Sequence, residues 1–280
     1  MRTGHALSRR EAILATIMLG TAGRHAMAQM GAQTGAQMGA EDDPWPSLAA
    51  QIFKDRAIAD GSAVLALDAP YRAEDAAVVP ITIQNLLPPG QEGQMQAITL
   101  VIDQNPSPLA ATVTFGPASG IRTLSTRIRV DSYTRIHAVA EMTDGSLKGV
   151  ERFEKAAGGC SAPAAKQEAD SIPLGTMRFR QFPPAGEPGR REAELMIRHP
   201  NYSGMQMDQL TRLYVPARFV SSVRLWQGKD LLLTIDSGIS ISENPAFRFD
   251  YRPNGAAAFR AEVTDSKGAV FTKTWPATPA

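Results

Sequence analysis

The sequence predicts an all-β protein built from two β-sandwich domains, with one short helix near the start. Short runs of β-branched and aromatic residues recur along most of the chain, separated by Pro, Gly, Asn and Asp. This spacing is typical of sandwiches. The runs stop at a stretch of small residues around position 160 and then begin again. The pattern therefore indicates two groups of strands joined by a connecting segment.

One helix is predicted before the strands, over the segment 45–56. Trp45, Leu48, Ile52 and Phe53 fall on one face of a 3.6-residue period. Asp60 and Gly61 follow and are typical of the turn that ends such an element. The helix therefore has one apolar face, and it opens the first domain.

The first group of strands covers residues 64–140. Each run is short and bounded by turn-forming residues, which favours strands over helices. The predicted strands are Val64–Leu67, Val78–Ile83, Ala97–Ile102, Thr112–Phe115, Ser125–Val130 and Arg135–Ala140.

The second group repeats this pattern after residue 176. Asp103–Pro106 (DQNP) is echoed by Ser242–Pro245 (SENP), and Ala140–Gly145 by Ala261–Ser266. Internal similarity suggests two related sandwiches, although Asn-Pro and Asp-Gly are also ordinary turn residues. The predicted strands are Met177–Arg180, Glu194–Arg198, Val220–Trp226, Asp230–Ile235, Phe247–Tyr251 and Ala258–Thr264.

Residues 1–28 have the features of an export signal, most similar to the twin-arginine type. Arg9 and Arg10 precede an apolar stretch, and Ala26-Met27-Ala28 supplies the small residues of a cleavage site. The apolar stretch is shorter than the ~20 residues that span a bilayer. We therefore expect cleavage after Ala28, a periplasmic protein, and no stable membrane anchor. Residues 29–43 contain the low-complexity repeat GAQTGAQMGA and are expected to be a disordered linker.

The chain has one cysteine, Cys160, which lies among glycine, alanine and serine. These neighbours carry little bulk to bury a thiol, and Gly158 and Gly159 relax the backbone. The sequence therefore predicts a flexible carrier arm over residues 156–173 that presents an exposed thiol. A single cysteine forms no disulfide within the chain, so in an oxidising compartment the thiol is capped, paired between chains or used chemically.

Several classes of function are excluded by composition. The four histidines include His5 and His25 of the signal, which leaves His137 and His199 in the mature chain. These residues and Cys160 have no zinc-site spacing, and no cofactor is expected. The net charge is +1, and no basic stripe interleaved with aromatics suggests a nucleic-acid partner.

The remaining polar candidates are better explained structurally than chemically. His199 is expected to make a structural hydrogen bond, and His137 to lie on a sheet face. Charged residues near the arm or around residue 216 are expected to be solvated. They are Lys155, Lys166, Arg212, Arg218 and Arg224.

Five features together resemble a known family. They are the helix that opens with Trp45, the turn Asp103–Pro106, the Gly158-Gly159-Cys160 arm, the segment His199–Gly204 (HPNYSG) and Glu243-Asn244-Pro245. This combination resembles the sulfur carrier proteins SoxY and SoxZ fused into one chain, and is closest to the SoxYZ-like carriers associated with quinoprotein dehydrogenases. The resemblance covers nearly all of the mature chain, with a SoxY-like sandwich over 44–155 and a SoxZ-like sandwich over 174–280.

The resemblance implies two immunoglobulin-like domains packed together within one chain. It also implies a non-enzymatic carrier, of the kind used in thiosulfate oxidation, that holds a sulfur intermediate covalently on Cys160. Partners would be sulfur-oxidising or quinoprotein-linked periplasmic proteins. The family arm resembles Gly-Gly-Cys-Gly-Gly at a free C-terminus, whereas here Ser161 and Ala162 follow the cysteine and the chain continues. The arm is therefore tethered at both ends.

Two alternatives of other classes remain open. In one, the sandwiches form a periplasmic binding or scaffold module and Cys160 is incidental. In the other, Cys160 is an enzymatic nucleophile, which requires His137 or His199 beside it in space.

Overall fold

A computed structural model describes residues 43–163, 172–183 and 187–278 of the 280-residue chain. The described residues are almost entirely β-structure, with one α-helix, one short 3-10 helix and two open sheets. The all-β prediction, with immunoglobulin-like sandwiches and one short helix, is confirmed. The predicted export signal and all of the predicted linker except Asp43 lie outside the described residues. Within the described ranges, no helix is long and apolar enough to cross a membrane.

The N-terminal half contains the helix and eight strands. Lys54 and Asp55 adopt left-handed backbone angles, with φ of 54° and 59°, so the helix ends before Arg56, where the sequence predicted its end. The elements are α1 Trp45–Phe53, β1 Ile58–Asp60, β2 Leu65–Asp68, β3 Val79–Asn85, the 3-10 helix Glu92–Gln94, β4 Met95–Ile102, β5 Leu109–Phe115, β6 Thr123–Ile128, β7 Thr134–Met142 and β8 Leu147–Glu154.

The C-terminal half contains seven strands. Six of them overlap the predicted ones, and the last was not predicted. They are β9 Met177–Gln181, β10 Arg191–Ile197, β11 Val220–Gln227, β12 Asp230–Ser237, β13 Ala246–Tyr251, β14 Ala258–Asp265 and β15 Val270–Pro276.

Both sheets run through both halves of the chain. The nine-stranded sheet has the order β1-β8-β7-β4-β5-β12-β11-β14-β15, and the six-stranded sheet has the order β2-β3-β6-β13-β10-β9. The halves join where β5 pairs with β12, with Val113 opposite Ile235, and where β6 pairs with β13. Strand pairing satisfies edge N–H and C=O groups that two separate sandwiches would leave open. The two halves therefore meet edge to edge, and their buried apolar side chains form one continuous core.

Helix α1 packs on the nine-stranded sheet away from this main core. Phe53 joins Val139 and Leu147 in a separate apolar cluster. Trp45 stacks on the ring of His137 with 3.6 Å between centroids, and His137 Nε2 lies 3.0 Å from Asp103 Oδ2. His137 is buried in this arrangement, so its role is to anchor helix α1 on the sheet.

A group of charges centred on the buried Arg190 and Glu92 also ties the halves together, and we call it the seam network. Arg190 bonds Asp250 through Nε at 2.8 Å and also through Nη2, and its Nη1 lies 3.6 Å from Glu92 Oε1. Glu92 also accepts a hydrogen bond from Arg252 at 3.1 Å. Glu92 belongs to the N-terminal half and the other three residues to the C-terminal half. Asp250 lies on β13, which pairs with β6 of the other half, so the network lies at this junction of the six-stranded sheet.

Candidate functional site

The segment that carries Cys160 leaves β8 and folds back along the residues that follow β6. The N–H of Gly158 donates to the carbonyl of Asp131 at 2.8 Å, and the N–H of Gly159 donates to that of Val130 at 2.9 Å. The segment therefore lies against the body of the N-terminal half through backbone hydrogen bonds. We call this arrangement the Cys160 seat.

The two glycines have different roles in the seat. Gly158 has φ of +80°, a conformation that costs other residues energy, but a Cβ there would meet open space. Gly159 has no room for a side chain, because a Cβ would lie 2.0 Å from the Ala76 carbonyl oxygen and 2.7 Å from that of Val130. Only glycine at 159 lets the backbone approach this closely.

The C-terminal half closes the seat over the cysteine. Ser203 follows β10 in the HPNYSG segment, and its Oγ donates to the Cys160 carbonyl at 2.5 Å. The N–H of Ser203 donates in turn to Gln206 Oε1 at 2.9 Å. Ser203 and Gln206 are buried. The seat is therefore formed by residues from both halves, which are far apart in sequence.

Cys160 is 0% exposed in this position. The prediction of an exposed thiol on a flexible arm is therefore wrong for residues 156–163. The prediction assumed that small neighbouring residues leave a thiol exposed to solvent. They also let the backbone lie close against the residues that follow β6, so that the surrounding protein covers the thiol. Residues 164–171 of the predicted arm lie outside the described residues.

Burial controls the chemistry of the thiol. Desolvation, reinforced by the negative charge of Asp131, raises the pKa of Cys160 to about 12, although Arg129 acts in the opposite direction. The seated thiol is therefore protonated at neutral pH. Since the thiolate is the nucleophile, the seated form is unreactive.

Arg129 is the charged group that the sequence did not single out. It is 2% exposed, and its Nη1 donates to the carbonyls of Ile241 at 2.7 Å and Ile239 at 3.2 Å. Burial lowers the pKa of Arg129, while the charges of Cys160 and Glu243 raise it. The guanidinium is thus a buried cation that would favour an anionic form of the sulfur.

The DQNP turn supports the residues that follow β6 beneath the seat. Asn105 Nδ2 donates to the Arg129 carbonyl at 2.8 Å and to Ser240 Oγ at 2.9 Å, and its Oδ1 accepts from the N–H of Asp131 at 2.9 Å. Asn105 therefore connects the residues beneath Cys160 to the C-terminal half. The role of this turn is structural.

Neither histidine forms a nucleophile–base pair with Cys160. His199 Nδ1 accepts from the N–H of Asn201 at 3.0 Å, which confirms the predicted structural hydrogen bond, and burial lowers the pKa of its ring. His137 bonds Asp103 beneath Trp45. Within the described ranges, no hydrogen bond joins either ring to the thiol. The geometry therefore does not support the enzymatic alternative.

The remaining charged candidates do not converge on the thiol. Arg218 bonds the buried Asp265 at 2.8 Å, and Arg224 lies 3.7 Å from Glu262. The ammonium of Lys155 lies 4.9 Å from the ring centroid of Tyr71. Lys166 lies outside the described residues. Among the residues that are described, no cluster of His, Cys, Asp and Glu could hold a metal ion.

Comparison with protein families finds two adjacent matches. The family of the sulfur oxidation protein SoxY matches residues 49–160, and that of the sulphur oxidation protein SoxZ matches residues 180–276. Together the matches cover most of the chain. The first match ends at Cys160, the residue held in the seat.

Similar solved structures include the sulfur carrier protein SoxY from Chlorobium limicola f thiosulfatophilum. It is 24% identical over 39% of this chain and 89% of that chain, with a TM-score of 0.34. A beta-glycosidase from Bacteroides vulgatus is 8% identical over 76% of this chain and 24% of its own, with a TM-score of 0.24. A search of curated proteins found no match.

Proposed function

We propose that this chain, which belongs to the SoxY and SoxZ families of sulfur oxidation proteins, is a carrier that holds a sulfur intermediate covalently on Cys160. The observation that carries the proposal is the position of this one thiol. It stands at the end of the SoxY match and is seated between the two halves. Both families are described by a role in sulfur oxidation, and SoxY is described as a sulfur carrier in the Chlorobium protein.

Loading requires the thiol to leave its seat. The segment is held by two backbone hydrogen bonds from glycines and by one from Ser203. Each such bond contributes about 1 kcal/mol net, so transient opening is energetically accessible. The cycle that we propose alternates between a seated form, in which the sulfur is shielded, and an open form that a partner enzyme can reach.

The loading reaction with thiosulfate is an oxidation. The Cys160 thiol loses its proton, and its Sγ forms an S–S bond with the terminal sulfur of thiosulfate. This step releases two electrons, which an electron-accepting partner protein takes up. The product is a thiosulfonate that carries one negative charge. The positive charge of Arg129 acts on the sulfur in the direction that favours its anionic form.

We place this carrier in the periplasm because of its N-terminal residues. Arg9-Arg10 and Ala26-Met27-Ala28 have the features of an export signal. The association with quinoprotein dehydrogenases stays a prediction from the resemblance.

Intact mass spectrometry of the protein isolated from its native cells tests the carrier role. We expect part of the population to carry extra mass that a reducing agent removes. Cys160→Ser should carry none, and it should abolish sulfur oxidation while its melting temperature stays close to wild type. Ser161→Ala, at the exposed neighbouring position, is the matched control and should behave as wild type. Full pathway activity of Cys160→Ser would instead support a scaffold in which the cysteine is incidental.

A further inference from the structure

The outer face of the six-stranded sheet carries a groove of about 530 Å³ that the carrier cycle does not use. Strands β3 and β6 of the N-terminal half and β13, β10 and β9 of the C-terminal half all contribute to it. The volume lies within the ~300–1,000 Å³ of sites for small molecules. The groove exists only because the two halves share one sheet.

The floor of the groove is formed by uncharged side chains. Met196 of β10 lies opposite Ala246 of β13, and Pro80 of β3 continues the lining at the other side. The small Ala246 leaves depth between its larger neighbours, and methionine adapts to irregular shapes. This floor suits an aliphatic body.

Two arginines from different halves are held at the groove by one asparagine. Arg127 of β6 donates through Nη2 to the Asn244 backbone carbonyl at 3.0 Å, and Arg198, just after β10, donates through Nη1 to Asn244 Oδ1 at 2.9 Å. Asn244 has φ of 46°, and its own N–H donates to the carbonyl of His199 at 2.7 Å. The Glu243-Asn244-Pro245 motif thereby fixes two guanidinium groups beside the same floor.

The charges of the groove are unevenly distributed. Arg248 of β13 bonds Glu192 at 2.6 Å and lies opposite Glu194 of β10. These two carboxylates therefore offset the positive charge of Arg248. A fourth arginine of the groove, the exposed Arg178 of β9, lies opposite Met196 of β10. The end of the groove lined by Arg127, Arg198 and Arg178 is open to solvent, and its electrostatic potential is therefore positive.

We propose that this groove binds a small organic anion with an aliphatic body and an oxyanion head, either a carboxylate or a sulfonate. The body lies on Met196 and Ala246, and the head accepts hydrogen bonds from Arg127 and Arg198. The planar guanidinium fork matches oxyanions in a bidentate manner. This site is separate from Cys160, and its existence does not depend on the carrier role.

Calorimetric titration of the mature protein with hexane-1-sulfonate and with hexanoate tests the proposal. Hexan-1-ammonium, which has a similar body and the opposite charge, is the ligand control. We expect saturable binding of at least one anion with Kd on the order of 1 mM, as suits a ligand of this size. The tighter of the two anions identifies the head group.

The variants Arg127→Gln and Arg198→Gln should each weaken anion binding by about tenfold or more, since each removes a charged donor. Arg178→Gln changes an exposed residue and gives a second test if the half-buried arginines prove necessary for folding. Arg180→Gln, on the same strand but outside the groove, is the matched control and should bind as wild type. Cys160→Ser should also bind as wild type, which separates this proposal from the carrier role.

The proposal is overturned if neither anion binds saturably up to about 10 mM, roughly tenfold above the expected Kd. It is also overturned if hexan-1-ammonium binds equally well, or if correctly folded Arg127→Gln, Arg198→Gln and Arg178→Gln variants all keep wild-type affinity.

Discussion

Two of the polar contacts between the halves of this protein are opposite in character. In the seam network, Arg190 bonds Asp250 and approaches Glu92, with Arg190 and Glu92 each only 6% exposed. In the Cys160 seat, a short segment without charged side chains is held by three hydrogen bonds. Both contacts bury polar groups between residues distant in sequence. Only the second can open without leaving a charge stranded in the core.

One junction can therefore be both permanent and reversible. Removing one partner of a buried ion pair leaves an uncompensated charge, which costs about 3–5 kcal/mol. Releasing the Cys160 segment exchanges neutral hydrogen bonds for hydrogen bonds to water, which costs about 1 kcal/mol each. The seam network therefore holds the halves together while the seat opens.

The largest expected effect is the loss of the seam network in Arg190→Leu. Asp250 would lose the buried cation that it bonds, whereas Glu92 would keep its hydrogen bond from Arg252. The free energy of unfolding should therefore fall by about 3 kcal/mol, the lower end of the range for a broken buried ion pair, measured by urea denaturation. Arg135→Leu removes a more exposed ion pair with Glu151 and is the matched control, with a loss below about 1 kcal/mol. Equal stability of the two variants would contradict the contrast between the contacts.

Gly159→Ala should break the seat while the halves stay joined. The new Cβ would lie 2.0 Å from the Ala76 carbonyl oxygen, so the segment cannot close. Cys160 should then react with a maleimide at nearly the rate of an unstructured peptide. In Gly158→Ala the new Cβ would lie in open space. The only cost is that of a positive φ at alanine, about 1 kcal/mol, so the labelling rate of Cys160 should increase far less. Slow labelling of Gly159→Ala, as in wild type, would show that the seat does not depend on this close approach.

A smaller effect is expected for Ser203→Ala, which removes the hydrogen bond from the C-terminal half to Cys160. A loss of about 1.4 kcal/mol from the seated form should increase the maleimide labelling rate by about tenfold. The free energy of unfolding should fall by no more than this amount, less than for Arg190→Leu, since the seam network is intact. Ser161→Ala, whose exposed hydroxyl bonds Gly158 at 3.2 Å, is the control for the loss of a hydroxyl beside the thiol. If both variants label at the same rate, the contact across the halves does not hold the seat.

The finest test is the dependence of labelling on pH. The seated thiol has a pKa of about 12, and an unperturbed cysteine titrates near 8.5. Between these values the seated form keeps its proton and the open form loses it, so the seat loses about 1.4 kcal/mol per pH unit as pH rises. Wild-type labelling should therefore keep rising about tenfold per pH unit above pH 8.5, whereas Gly159→Ala should level off there. A wild-type rate that levels off near pH 8.5 would mean that the thiol is already open.

Sequence reasoning succeeded where structure follows from local pattern. Alternating burial along β3 and β13 reflects the β-branched and aromatic runs that predicted them. Strands β1, β8 and β15 were not predicted, because buried and exposed residues alternate less regularly along them. Sequence reasoning placed the helix correctly but extended it past Lys54 and Asp55, because left-handed backbone angles at non-glycine residues have no clear sequence signal.

For the site, sequence identified Cys160, Gly158 and Gly159 but misjudged their setting. The glycines suggested mobility, whereas Gly159 permits a close contact with Ala76. Arg129 and Ser203 were not singled out, since each is an ordinary residue until the fold brings it near the cysteine. The Asp103–Pro106 turn was noted for the internal similarity and for the resemblance, and Asn105 within it proves to support the seat.

The strand-rich fold and the single thiol follow from the sequence alone, because these depend on residue type and short-range periodicity. The tertiary structure decided that the halves share both sheets, that Cys160 is buried, and that Arg127 and Arg198 meet at Asn244. These features join residues dozens of positions apart. Their geometry arises from strand pairing and core packing across the whole chain, which no local pattern contains.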